Sequence, residues 1–159
     1  RFFYQQPLSA TKLTTKPHPG FKTDWQPLWT LLMTQAQGQS VVHETVSQNR
    51  FQYTQALTQM GAEIELFTPQ VKNPNQVYNF ELEDVKSEVK HAARIKGPTP
   101  LQGDQFEVQD LRHGATLMLA GLMADGQTKL KDPANHIDRG YENLAQQFKT
   151  MGADIERQN

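Results

Sequence analysis

Met60-Gly61-Ala62-Glu63-Ile64-Glu65 is very nearly spelled a second time as Met151-Gly152-Ala153-Asp154-Ile155-Glu156. In each copy a glycine stops a helix, and the alternation of apolar and acidic residues that follows reads as a strand. The likeness extends upstream. The first segment runs from Asp24 to Glu65 and the second from Asp110 to Glu156, and each has the same plan. An Asp stands at a helix start; then come an apolar helix, a glycine, a strand, a loop with an arginine, a second helix and a last strand. The offset between the copies drifts by a few residues, as small loop insertions would make it. A duplicated β-α-β-α-β unit explains this better than coincidence among glycine-stopped helices. The fold class expected is therefore α/β (α+β).

Working outward, Thr11 to Thr15 is a short strand, and Arg1 to Leu8 reads as an edge strand or a connection. His18-Pro19-Gly20-Phe21-Lys22-Thr23-Asp24-Trp25-Gln26 turns the chain into a helix expected over Asp24 to Gln37. Thr23 and Gln26 have capping-box spacing, and Pro27 falls in the first turn, where its missing N–H costs little. Trp25, Leu28, Trp29, Leu32 and Ala36 recur at helical spacing and mark the expected core face. Ser40 to Val46 is a β-branched strand, Asn49 the expected cap of a helix from Phe51 to Met60, and Ala62 to Phe67 a strand. Thr68 to Gln76 is a polar loop with two prolines, and Val77 to Lys90 gives no clear periodicity. Ala92 to Gly97 and Phe106 to Val108 read as strands, Arg112 to Ala124 as a helix and Thr128 to Lys131 as a strand. Asn135 to Gly140 reads as a loop, Tyr141 to Met151 as a helix and Ala153 to Glu156 as a strand.

The chain has 159 residues, enough for one ordinary core, and a formal net charge of −1. That balance lacks the basic footprint of a general nucleic-acid binder. No apolar run approaches membrane-spanning length. There is no cysteine, hence no disulfide, thiolate metal site or cysteine nucleophile in this chain. His43, His91, His113 and His136 lack metal-ligand spacing, so no metal is expected. Arg1-Phe2-Phe3-Tyr4 offers neither an initiator methionine nor a signal peptide, so a piece of a longer protein is expected.

Arg50, Arg112 and Arg139 are all expected at helix N-termini, where a cation opposes the helix dipole. Pairing with Asp110, Asp138 and Glu142 would make them ordinary surface charges. Their recurrence at matching places in a duplicated unit favours an anion site instead, since free N–H groups and guanidinium forks both suit phosphate or carboxylate oxygens. Asp24 and Asp110, at the two matching helix mouths, could serve as base, hydroxyl acceptor or anchor for the arginines.

Pro19 to Asp24, Glu44-Thr45-Val46 with Asn49-Arg50-Phe51, Asp110-Leu111-Arg112, and His136-Ile137-Asp138-Arg139-Gly140-Tyr141-Glu142 stand in one order. Together they resemble the C-terminal part of the UDP-N-acetylglucosamine enolpyruvyl transferases (1-carboxyvinyltransferases). The last block favours these over the relatives that act on shikimate 3-phosphate. The resemblance implies an inside-out α/β barrel built from repeated βαβαββ units. About two units would be present, at residues 10–97 and 98–159, with an insertion at about 68–90. It implies transfer of the enolpyruvyl group of phosphoenolpyruvate to the 3-hydroxyl of UDP-N-acetylglucosamine, with release of phosphate. That reaction is the first committed step of bacterial peptidoglycan synthesis, in the cytoplasm, and needs no cofactor.

By the same resemblance, Asp24 handles the proton of the sugar 3-hydroxyl and Val46 touches the UDP-sugar through its backbone. Arg50, Arg112 and Arg139 surround phosphoenolpyruvate, and Asp110 supports them. Lys22, Ser47-Gln48, His113 and Asn135 depart from the usual pattern without removing a charged site residue. The family's lysine–asparagine pair and loop cysteine, which belong to an N-terminal lobe, are not found here. This chain alone is accordingly expected to be inactive. A non-catalytic module binding a nucleotide sugar or phosphate, or a purely structural domain, are the competing expectations.

Overall fold

The computed structural model describes residues 6–86 and 88–158, so the first part of the strand or connection expected at Arg1 to Leu8 lies outside the described residues. The chain opens with β1 (Lys12–Thr14), crosses through α1 (Gln26–Met33) and returns as β2 (Gly38–His43), parallel to β1. α2 (Tyr53–Gln59) leads to β3 (Glu63–Phe67), and β4 (Ala92–Gly97) then inserts between β2 and β3, antiparallel to both. The sheet order is β1-β2-β4-β3. A second parallel pair, β5 (Gln105–Glu107) and β6 (Lys129–Lys131), is joined by α4 (Leu111–Met123). The short α3 (Pro74–Val77) lies between β3 and β4, and α5 (His136–Gly140) and α6 (Leu144–Thr150) follow β6.

The two parallel crossovers, β1-α1-β2 and β5-α4-β6, share one plan and contain the apolar helix and following strand expected at the start of each repeated segment. Glycines at matching places of the two expected segments share a backbone state. Gly38 and Gly126 have φ of 103° and 83°, and Gly61 and Gly152 have 106° and 97°. Only a residue without Cβ adopts these values freely.

The core lies where α1, α2 and α4 meet the inner face of the first sheet. Leu31, Val42, Phe51, Leu57, Met60, Ile95 and Leu117 are buried there together. Burial of such side chains contributes roughly 1.5–3 kcal/mol each, and this is what holds the two copies to each other. The outer face of β3 and β4 carries cross-strand pairs instead. Arg94 bonds Glu65 and lies over the Phe67 ring, and Lys96 bonds Glu63 at 2.9 Å. A smaller cluster of Val108, Met118 and Ile137 is flanked by Leu144, Phe148 and Ile155 and seats α5 and α6. No helix among the described residues is long and apolar enough to cross a membrane.

Several local expectations are corrected. α1 begins at Gln26, and Asp24 lies in a preceding 3-10 turn, Thr23–Trp25. There is no capping box: Thr23 gives its hydroxyl to Glu44 and the Gln26 side chain is buried, so neither reaches the helix end. The expected apolar face is only half right. Of that face Ala36 is buried, but Leu32 is exposed and Trp25 is 53% exposed, meeting Phe21 edge to face with the Lys22 ammonium over its ring; Leu31 and Met33, outside the expected face, pack inward. Trp25 is thus not a core residue; Trp29 is partly buried against the core. β2 stops at His43, because beyond it the chain wraps around the Glu44 carboxylate. Asn49 caps nothing; Gln52 precedes α2 without a side-chain cap.

Asn135 to Gly140 is largely helix, not loop. The Asp132 carboxylate accepts the His136 and Ile137 N–H groups at 2.8 Å each and so nucleates α5. Arg139 therefore sits in the last turn of a helix, where a cation is favoured, and not at a helix N-terminus. Ala153 to Glu156 forms no strand. In the first copy β3 pairs only with β4, and among the described residues no counterpart of β4 lies beside 153–156.

Candidate functional site

The site grows from two helix starts. Asp110 is extended (φ −156°), and its carboxylate accepts the N–H groups of Arg112 at 2.7 Å and His113 at 3.0 Å. This satisfies two of the free N–H groups at the mouth of α4 and sets the direction of Arg112. The Arg112 Nε then donates to Asp24 Oδ1 at 2.5 Å, joining the second copy to the first. Arg50, on the loop before α2, brings Nη2 to 3.9 Å from the same oxygen and donates from Nε to the Thr23 hydroxyl at 3.2 Å. Both guanidinium groups thus face Oδ1, and Oδ2 has no partner among the described residues. The Asp24 side chain is 53% exposed, so Oδ2 is open to a ligand.

Beneath this pair lies a carboxylate that sequence reading did not single out. Glu44 is 1% exposed and accepts four hydrogen bonds. Oε1 takes the Thr15 hydroxyl and the N–H groups of Val46 and Ser47 at 2.9, 2.8 and 2.9 Å, and Oε2 takes the Thr23 hydroxyl at 2.9 Å. Thr23 is the link: it donates to Glu44, accepts from Arg50 and adjoins Asp24. The available signal was an acidic residue inside a β-branched run, where a charge is rarely buried without partners.

Asn49, Arg50, Asp110, Arg112 and His113 line a depression of about 70 Å³ between the copies. The His113 imidazole is held below its usual pKa by burial, with the Asp110 charge opposing. Its Nδ1 accepts the Gln109 N–H at 3.1 Å, which fits the neutral ring. Of the six residues singled out from sequence, Asp24, Arg50, Asp110 and Arg112 come together. Val46 lies one step away: its N–H is taken by Glu44, and no donor among the described residues reaches its carbonyl oxygen. Arg139 is not among the residues lining the depression. α5 packs on the first turn of α4, with Ile137 against Gly114 and Gly140 against Leu111, which brings Arg139 to the same helix end. Its guanidinium is exposed and has no partner among the described residues, while the neighbouring Asp138 pairs with Arg157 at 2.5 Å. The surface pairings with Asp110, Asp138 and Glu142 that would have made these arginines commonplace are not the ones formed.

The arrangement presents fixed positive charge and one half-free carboxylate at the junction of two structural copies. Such a junction can bind a phosphorylated or carboxylated group and take a hydroxyl proton beside it.

The chain is 39% identical over 155 residues to the UDP-N-acetylglucosamine 1-carboxyvinyltransferase of Chlamydia abortus, covering 97% of this chain and 34% of that protein. It is 42% identical over 150 residues to the enzyme of the same name from Finegoldia magna, covering 94% of this chain and 30% of that one. The chain thus spans about a third of the length of these curated relatives. Among solved structures, the enolpyruvyl transferase NikO from Streptomyces tendae superposes with a TM-score of 0.75 at 27% identity, over 96% of this chain and 30% of that one. EPSP synthase from Acinetobacter baumannii, at 18% identity and a TM-score of 0.60, covers 98% of this chain and 30% of its own and shares the fold. The inside-out α/β architecture expected from the motifs is therefore the one present, as a partial copy. Residues 3–148 match the profile of EPSP synthase (3-phosphoshikimate 1-carboxyvinyltransferase), and the chain belongs to that enolpyruvyl transferase family.

Proposed function

We propose that this chain is the C-terminal-lobe portion of a UDP-N-acetylglucosamine 1-carboxyvinyltransferase. The whole enzyme would transfer the enolpyruvyl group of phosphoenolpyruvate to the sugar 3-hydroxyl and release phosphate, in the cytoplasm, as a step of peptidoglycan synthesis. The observation that carries this reading is the Asp24–Arg112 contact across the two copies, with Arg50 on the same oxygen. Two units, at about 10–97 and 98–159, would each supply a helix mouth to one shared site, and 68–90 would be an insertion in the first.

In this reading Asp24 Oδ2 receives the 3-hydroxyl and steers its proton away as the oxygen bonds to the enolpyruvyl carbon. Arg50, Arg112 and Arg139 hold phosphoenolpyruvate and stabilise the phosphate whose bond to that carbon breaks; net, the hydroxyl proton leaves with the phosphate. Asp110 serves by orienting Arg112. Val46 meets the nucleotide sugar with its free carbonyl oxygen, which suits a donor on the ligand. A positioned carboxylate typically contributes 10²–10⁴-fold to such a reaction, and fixed charge on the leaving group contributes further.

The lysine–asparagine pair and loop cysteine of the family would come from an N-terminal lobe, so residues 1–159 alone are expected to release no phosphate. The test uses the full-length protein with UDP-N-acetylglucosamine and phosphoenolpyruvate. Asp24→Asn should lower kcat by about 100-fold or more with little change in melting temperature. Arg112→Ala should raise KM for phosphoenolpyruvate. Unchanged handling of phosphoenolpyruvate by folded Arg112→Ala protein would remove the site from consideration.

A further inference from the structure

Within the expected insertion at 68–90, Tyr78, Asn79 and Phe80 fold back onto the site's supporting turn. Tyr78 is buried between two imidazoles, with ring centroids 5.5 Å from His43 and 5.3 Å from His91. Its hydroxyl meets His43 Nε2 at 3.1 Å, and Phe80 packs on Tyr78 and His91. The next residue, Asn79, donates twice to one acceptor. Its N–H and its side-chain amide reach the Thr45 carbonyl oxygen at 2.8 and 3.0 Å.

That carbonyl and the Val46 N–H belong to one planar peptide group. The N–H end is held by Glu44 from within, and the C=O end is held by Asn79 from outside. β2 has already ended at His43, so the sheet ladder does not orient this peptide. Thr15 fixes the Thr45 N–H and hydroxyl, which lie on the preceding peptide and the side chain. The arm therefore supplies the contacts that fix the carbonyl end of the 45–46 peptide, and with it the attitude of the Val46 carbonyl that follows.

We propose that residues 68–90 are a positioning arm: Tyr78 plugs into the His43–His91 slot, Asn79 clamps the Thr45–Val46 peptide, and the turn is thereby kept in the shape that receives the nucleotide sugar. Asn79 is a positioning residue and touches no reacting atom. The sugar part of this inference rests on the function proposed above; the clamp rests on the contacts alone.

The test uses full-length protein carrying Asn79→Asp or Tyr78→Ala. Asn79→Asp keeps the side chain's size and replaces its donor by an acceptor, so a role in packing alone would survive it. Two quantities are read: amide hydrogen exchange at Val46 and Ser47, and KM for UDP-N-acetylglucosamine and for phosphoenolpyruvate measured separately. Both variants should speed exchange at those amides. Both should raise KM for the nucleotide sugar by about three- to ten-fold, as loss of roughly one hydrogen bond does, and leave kcat and KM for phosphoenolpyruvate nearly unchanged. Unaltered exchange in the Asn79→Asp variant would overturn the clamp. Faster exchange with unaltered KM would overturn its link to the sugar, and a uniform loss of kcat with both KM values raised would reduce the arm to a structural role. Absence of turnover in the wild-type protein would sink the proposed function, and the exchange comparison would still decide the clamp.

Discussion

Replacing Glu44 by Gln keeps the side chain's volume and removes the charge on which four hydrogen bonds converge. If the amide oxygen takes the Oε1 place, the bonds from the Thr15 hydroxyl and the Val46 and Ser47 N–H groups persist as neutral ones. The amide nitrogen then faces Thr23, which must stop donating there. A hydrogen bond to a charged group contributes ~1.5–3 kcal/mol net and a neutral one ~0.5–1.5, so three weakened bonds and one reversed one cost about 3–4 kcal/mol. Removing a charge from a site only 1% exposed recovers part of that desolvation, leaving about 2–3 kcal/mol. Glu44→Ala should cost more, about 4 kcal/mol or above, because two N–H groups and two hydroxyls lose their acceptor outright. The assay is urea unfolding of the full-length proteins at neutral pH, with hydrogen exchange at Val46 and Ser47 as the local readout. If Glu44→Gln unfolds within about 0.5 kcal/mol of wild type, or Glu44→Ala proves no worse than Gln, then Glu44 does not organise the site and the reasoning fails.

Gly97→Ala should destabilise by about 2 kcal/mol or more in urea unfolding, since a Cβ there would lie 2.5 Å from the Ala36 carbonyl oxygen and 2.6 Å from that of Thr34, and backbone cannot easily yield. Gly114→Ala would drive a Cβ to 2.5 Å from Ile137 Cγ1, pushing α5 off α4; the expected outcome is faster amide exchange in α5 and, under the function proposed above, weaker phosphoenolpyruvate binding by the full-length protein through displaced Arg139. Arg112→Ala should change unfolding free energy by only ~0–1 kcal/mol, because its partner Asp24 is half exposed, so a large stability loss would count against a functional role for that pair. His43, His91 and His113 all have pKa values lowered from 6.5, chiefly by burial, so they are neutral in the fold and take up protons on unfolding in acid. Stability should therefore be flat above about pH 7 and fall as pH drops below about 6.5 toward their lowered values, and a urea midpoint that stays constant from pH 7.5 to 5 would refute this.

Much of the architecture was legible because it rests on short-range rules. Each Met-Gly-Ala hexapeptide holds a glycine of positive φ, Gly61 or Gly152, just past a helix end as expected, and Pro27 marked the first turn of α1. The carboxylates and arginines at the two helix mouths were visible from their place in the repeat. What local pattern could not decide was which partner each polar group would find. Thr23 and Gln26 have the spacing of a cap, yet a buried carboxylate from another strand outcompetes the helix end for the Thr23 hydroxyl. Asn135 to Gly140 looks like a loop until Asp132, which precedes it, turns its oxygens onto two N–H groups. Trp25 has core spacing, but the chain places it in the 3-10 turn before α1, where it is left exposed. The sequence by itself pointed to two segments of like plan and to Asp24, Arg50, Asp110 and Arg112, which the fold brings together, because periodicity and turn chemistry are properties of neighbours in the chain. Tertiary structure alone decided that Glu44 lies beneath Asp24 and Arg50, and that residues 68–90 close on the Thr45–Val46 peptide. Those contacts join residues far apart in sequence, and the desolvation of a buried charge selects their partners only once the sheet and helices have met.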